Sequence, residues 1–166
     1  WAKDAGVFAG YNDGTFKPYT FISRVEILKI VLEANDVTIL GSSGNSGFSD
    51  VDVYGWYMPY IATAKAMRIF AGDGGKTTAR PNDTVNRAEA SKFMFETLRA
   101  VSGFNIQSCS NSYPDVSSNE WFAGYVCATK QYSLFDIVDG NFYPGTLATR
   151  GEMALALFRL HEANQL

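Results

Sequence analysis

After Arg24 the chain carries charge only at Glu26, Lys29 and Glu33, while Val25, Ile27, Leu28, Ile30, Val31 and Leu32 fill the positions between. So narrow a polar stripe predicts a helix buried around most of its circumference. The same stripe returns at Glu89, Lys92 and Glu96; a third copy keeps Glu152 but places Leu155 and Arg159 at the later positions. Three nearly buried helices bury one another most economically, so the pattern predicts a central three-helix bundle. A second pattern precedes two of them. Trp56, Tyr60, Ala64 and Met67 are spaced as one face of a helix, and that stripe predicts tryptophans in the core. Pro59 fits only the first turn of such a helix. In the last copy Ser117 and Glu120 are spaced as a capping box ahead of Trp121.

The chain is therefore a set of repeats. "GFSDVDVYGWYMPYIATAKAMRIFAG" and "SYPDVSSNEWFAGYVCATKQYSLFDIV" align Asp50 with Asp115, Trp56 with Trp121, Tyr60 with Tyr125 and Lys65 with Lys130, all 65 residues apart. Downstream, Pro81 and Pro144 stand 63 apart, so two residues are lost in the intervening loop. The first copy begins inside the pattern and lacks the "SDV…WY" opening. Three units are expected, at 1–36 (incomplete), 46–100 and 111–164, linked by 36–47 and 101–112. The predicted fold is all-α: helix-loop-helix repeats forming a pseudo-threefold, three-lobed unit around the bundle, with Gly/Asp/Pro-rich loops such as "GYNDGTFKP" and "IVDGNFYPG" between helices.

Composition removes several functional classes. The 166 residues are 46% hydrophobic and carry a net charge of −3, with no Lys/Arg run to attract a nucleic-acid backbone. Apolar runs such as "MALALF" are far too short for membrane insertion. No leader pattern is visible in "WAKDAGVFAG". "GGKTT" lacks the earlier glycine of a phosphate loop, since Phe70 stands there. The acidic turns lack the last glutamate of a calcium loop. One histidine, His161, and two cysteines make no zinc set and no nucleophile–base pair, so neither a metal, a cofactor nor an enzyme activity is expected. Cys109 and Cys127 are either a disulfide, in an oxidising compartment, or two separate small core residues.

The motif helices open on "ISRVE", "VNRAE" and "ATRGE". Ser23, Asn86 and Thr149 are good N-caps, and Glu26, Glu89 and Glu152 three places on complete capping boxes. Arg24, Arg87 and Arg150 fall at the first helical position, 63 residues apart, where the macrodipole disfavours a cation. Two readings stand. Each arginine, with free amides at the helix start, receives a small anion such as a carboxylate or phosphate. Alternatively each pairs with an acidic residue of a neighbouring lobe and fixes lobe geometry.

Three tandem copies of "SDV…WY…I..A…G…DGTF.P…TRAE" resemble S-layer homology domains over nearly the whole chain. The resemblance implies a non-catalytic, extracellular module at the bacterial cell surface. Its partner would be a cell-wall polysaccharide carrying pyruvate ketals, bound in inter-lobe grooves lined by Arg24, Arg87 and Arg150 with their caps Ser23, Asn86 and Thr149. Lys3, Lys65 and Lys130 are candidate further anion contacts, and Trp56 and Trp121 candidate sugar-stacking residues. This sequence departs from the motif at Val25 and Gly151, where the motif has alanine. It departs again at Ala79, where Phe16 and Phe142 stand in the other copies. Gly151 is expected to weaken its helix start and to open room beside Arg150. The missing opening helix of the first copy suggests completion by upstream sequence or by a neighbouring chain, and hence a second reading: a structural module that self-assembles into a homo-oligomer, lattice or filament.

Overall fold

The computed structural model describes residues 1–41, 46–72, 77–107 and 112–166. Within them lie α1 (Arg24–Ala34), α2 (Met58–Ala66), α3 (Arg87–Ser102), α4 (Ala123–Gln131) and α5 (Arg150–Glu162). Helices and turns make the whole framework; the described residues contain isolated β-bridges but no strand. The fold is all-α.

The motif helices α1, α3 and α5 all start on a complete capping box, in which the cap side chain accepts from the glutamate amide and the glutamate reaches back to the cap amide. This satisfies two backbone donors at each start. α3 stops at Gly103, whose φ of 74° closes the last turn in the left-handed region. α1 packs on α3 and on α5. Ile27, Leu28, Leu32, Met94, Phe95, Leu98 and Met153 are fully buried in one continuous core.

α2 and α4 each pack on the motif helix of the preceding repeat, α2 on α1 and α4 on α3. Tyr60 donates its hydroxyl to Glu33 at 2.8 Å, and Tyr125 does the same to Glu96. Both short helices start later than the hydrophobic stripe suggested. Trp56 and Trp121 fall in turns two residues before α2 and α4, and their rings are 58% and 56% exposed rather than in the core. Pro59 does sit in the first turn of α2. Ser117 and Glu120 form no capping box: they are joined by a backbone turn, and α4 starts from Phe122 with no side-chain cap.

The repeats meet in a closed ring of backbone bonds. Ile22 donates to Ala148 at 3.0 Å, Ala148 to Val85 at 2.9 Å, and Val85 back to Ile22 at 3.2 Å. Around it, each motif helix starts against the next repeat's loop. The amides of Arg24, Arg87 and Arg150 donate to the carbonyls of Asp83, Thr146 and Thr20, each at 2.9 Å. One residue on, Val25, Ala88 and Gly151 donate to Pro81, Pro144 and Pro18. Gly151 opens no room beside Arg150, because a Cβ there would come within 3.0 Å of the Pro18 carbonyl oxygen. The glycine lets α5 close onto that loop. Two aspartates brace the loops from within their own repeats. Asp50 accepts from the amides of Ala79 and Arg80, and Asp115 from those of Phe142 and Tyr143.

Candidate functional site

The three motif arginines are buried, at 5%, 9% and 7% exposure for Arg24, Arg87 and Arg150. Their side chains leave their own helices and cross to the next. Arg24 reaches Glu89 at 3.3 Å, Arg87 reaches Glu152, and Arg150 approaches Glu26 at 3.7 Å. Each also donates to a loop carbonyl: Arg24 to Ala79, Arg87 to Phe142, Arg150 to Phe16. Aromatic rings flank all three guanidinium groups, with Phe70 and Phe93 near Arg24, Phe135 near Arg87, and Phe8, Tyr11 and Phe16 near Arg150. The glutamates thus divide their work. One carboxylate oxygen closes the capping box and the other receives a neighbour's arginine.

The sequence proposed free helix-start amides as part of an anion receptor. In the structure those amides are taken. The first two of each motif helix donate to neighbouring carbonyls, and the third to Ser23, Asn86 or Thr149. This also resolves the objection to a cation at the first helical position. Carbonyl oxygens complement the positive end of the helix, and each guanidinium sits against a carboxylate.

Among the described residues, inter-repeat grooves open beside the Arg24–Glu89 and Arg150–Glu26 pairs. One, a cavity of about 220 Å³, is lined by Arg24, Glu89, Lys92 and Trp121 together with Phe70, Ala71 and Gly72. The other, of about 140 Å³, is lined by Arg150, Glu26, Lys29 and Trp56 with Phe8 and Ala9. They are built from equivalent positions of successive repeats. Each combines a buried arginine at its floor, a lysine one turn past the paired glutamate on the neighbouring motif helix, and an exposed indole from the turn before the next short helix. Lys92 is solvent-exposed, with Nζ 5.6 Å from the centre of the Trp121 ring. Lys29 is paired with Glu33 and lies 5.9 Å from the Tyr60 ring. These two lysines appear in the sequence only as part of a polar stripe. Their recurrence at the same step after the arginine was the signal that set them apart.

The other candidates lie elsewhere. Lys65 donates to the Ser46 carbonyl at 2.7 Å beneath the Phe48 ring, and Lys130 donates to Ser112 beside Tyr113. Both tie down the opening turn of their own repeat. Lys3 is exposed in the N-terminal segment. Cys127, on α4, is disulfide-bonded; Cys109 lies outside the described residues. Among the described residues no group of three His, Cys, Asp or Glu side chains is placed to hold a metal ion, and no helix is long and apolar enough to cross a membrane.

Burial and the Glu33 carboxylate beside it push the Tyr60 hydroxyl up to about 12, and the same two causes raise Tyr125. Desolvation pulls the Asp50 carboxyl upward, but the amides of Ala79 and Arg80 outweigh it and hold the group below its ordinary value.

The family model of the S-layer homology domain matches residues 1–27, 47–91 and 112–154. The amylopullulanase of Thermoanaerobacterium thermosulfurigenes is 29% identical over 173 residues, which covers 98% of this chain and 9% of the relative. The surface-layer 125 kDa protein of Lysinibacillus sphaericus is 36% identical over 95 residues, 57% of this chain and 8% of its own length. Endo-1,4-beta-xylanase A of Thermoanaerobacterium saccharolyticum is 33% identical over 96 residues, 54% of this chain and 8% of its own. The chain spans no more than 9% of the length of any of these three relatives.

Proposed function

Because this chain belongs to the S-layer homology domain family, the non-catalytic anchoring domains of the bacterial cell surface, we propose that it holds to the wall by binding an anionic, pyruvate-ketal-bearing polysaccharide in its inter-repeat grooves. One observation carries the reading. In two equivalent grooves a cationic floor stands beside an exposed indole, Arg24 and Lys92 with Trp121, Arg150 and Lys29 with Trp56. An apolar ring face suits the carbon-hydrogen face of a pyranose, and the lysine and arginine suit a carboxylate. Each arginine already holds a glutamate, so it serves at the floor as a positioned guanidinium donor rather than as a net positive charge. The lysine, nearer solvent, makes the first contact with the ligand.

The relatives named as carbohydrate-active enzymes fit this division of labour, since the matched segment is a small part of each. A fused catalytic region would supply their activity and this segment the attachment.

The test is co-sedimentation with purified cell-wall sacculi, before and after acid removal of the polymers attached to peptidoglycan. The Lys29→Ala/Lys92→Ala variant runs alongside, because removing the buried arginines would also disturb the fold. Binding is expected to disappear on stripping and to fall at least tenfold in the double variant, with unchanged circular dichroism. Equal binding to stripped and intact sacculi would overturn the polysaccharide reading. Sedimentation of the chain by itself, without sacculi, would favour self-assembly instead.

A further inference from the structure

Lys29 and Lys92 stand at equivalent places in their grooves but are held differently, and the cause lies outside both grooves. Glu33 and Glu96 follow them by four residues on α1 and α3. One oxygen of each carboxylate accepts the hydroxyl of a tyrosine from the next short helix, Tyr60 on Glu33 and Tyr125 on Glu96. At the second oxygen the repeats part. Glu33 takes Lys29 there, whereas Glu96 takes Arg99. Lys92 is left with no carboxylate partner among the described residues, its Nζ 5.6 Å from the centre of the Trp121 ring.

Helix length decides which cation reaches the glutamate. α3 runs on to Ser102, so Arg99 lies in its last turn, three residues past Glu96 and on the same face. A cation suits that end of the helix dipole. α1 ends at Ala34, and the residue at the same step, Asp36, lies beyond the helix with φ of 51°. It is acidic and offers Glu33 nothing. The Glu96 side chain is only 8% exposed, and a carboxylate so far out of water keeps its cationic partner. An ammonium bound to a carboxylate must leave it before meeting another anion. One that rests beside an exposed indole gives up only a weak contact.

We infer that Arg99 is a positioning residue for the acidic ligand: by occupying Glu96 it keeps the Lys92 ammonium beside Trp121 and available, whereas Glu33 withholds Lys29. Arg99 touches neither the groove nor the sugar and acts through Lys92 alone. The inference rests on the proposed binding of an anionic sugar in these grooves.

The experiment is isothermal titration calorimetry of the whole chain with the methyl glycoside of a 4,6-O-pyruvylated hexosamine. In a Lys29→Ala background, Arg99→Ala is expected to weaken binding by about three- to fivefold, the range of a partly exposed ion pair, because Lys92 then falls onto Glu96. In a Lys92→Ala background the same change is expected to alter nothing, since its route to the ligand is gone. Glu33→Gln keeps an oxygen for Tyr60 but drops the charge that holds Lys29, so in the Lys92→Ala background it should tighten binding by a similar factor. Equal affinity with and without Arg99 beside an intact Lys92 overturns this inference and leaves the anionic-sugar reading standing. An Arg99 effect that persists without Lys92 overturns it too, because the residue would then act on the fold or at long range. Glu33→Gln tests the same rule without touching α3, and unchanged affinity there counts equally against it. No heat of binding from the folded wild-type chain overturns both the inference and the reading beneath it.

Discussion

Arg87 and Glu152, 65 residues apart in sequence, hold each other across two helices, and Glu152 still closes the capping box of Thr149 with its other oxygen. One carboxylate therefore fixes both the start of α5 and its attachment to α3. Removing the arginine strips a buried cation from a pair whose acid is one-quarter exposed. The acid can be rehydrated, so the loss is expected at the lower end for broken buried pairs, about 2–3 kcal/mol for Arg87→Ala. Glu152→Gln is expected to cost at least as much, because it leaves the buried Arg87 cation without its carboxylate and its single amide oxygen can serve only one of the two donors, Arg87 or the Thr149 amide. Urea denaturation of both variants measures the difference, and an Arg87→Ala midpoint equal to wild type would exclude this role for the pair.

The repeats themselves suggest a stabilising change. Gly6, Arg68 and Ser133 occupy equivalent positions just before the apolar pair that leads into each repeat's loop, with φ of 75°, 61° and 51°. Only the first repeat uses glycine, the residue that adopts this region at no steric cost. Ser133→Gly is expected to raise stability by up to about 1 kcal/mol, the relief of left-handed strain outweighing the added freedom of the unfolded chain. Thermal denaturation gives the sign directly.

At high pH the Tyr60 hydroxyl should betray its partner. With the group raised to about 12 when folded and near 10 when unfolded, the folded state keeps a proton that the unfolded state releases. Stability linked to this group is complete below pH 10 and declines as pH rises from there towards 12. Absorbance at 295 nm should show a late tyrosine step to which both Tyr60 and Tyr125 contribute, and Tyr60→Phe should shrink that step by one tyrosine.

The acid side has the opposite sign. Asp50 is held below its ordinary 3.8 by the amides of Ala79 and Arg80, so the unfolded state binds the proton more readily. Its contribution is present above the ordinary carboxylate range and fades as pH falls through the lowered folded value. Asp50→Asn is expected to destabilise the chain at pH 7, and the gap to wild type should narrow as the pH falls below the ordinary carboxylate range, measured by denaturation at a series of pH values.

What the sequence made legible was local. Caps and glutamates are set by short-range spacing, the 63-residue period repeats that spacing three times, and each motif helix starts where it points. Trp56 and Trp121 were misplaced because a stripe of aromatics at helical spacing looks the same whether its first residue opens the helix or sits in the turn before it. That difference of two residues turned a core assignment into an exposed indole. The second oxygen of each glutamate was hidden for another reason. Its partner is in the next repeat, and in the sequence one capping bond is enough to explain a residue that makes two contacts. Whether the buried arginines receive an anion or a glutamate was left open by sequence, since a guanidinium satisfies either; the structure supplies the glutamate.

The Ile22–Ala148–Val85 ring bears on how such a module can vary over time. In an open stack, a unit can be added or dropped at an end and the remaining neighbours are undisturbed. Here every repeat is both donor and acceptor in a cycle of three, so the copy number is set by closure. A lineage that gained a fourth repeat would have to break the circle to seat it, and one that lost a repeat would strand amides and carbonyls on both sides of the gap. Change in this chain is therefore channelled into individual positions, such as Leu155 and Asp136, which differ from their counterparts in the other repeats while leaving the triangle whole.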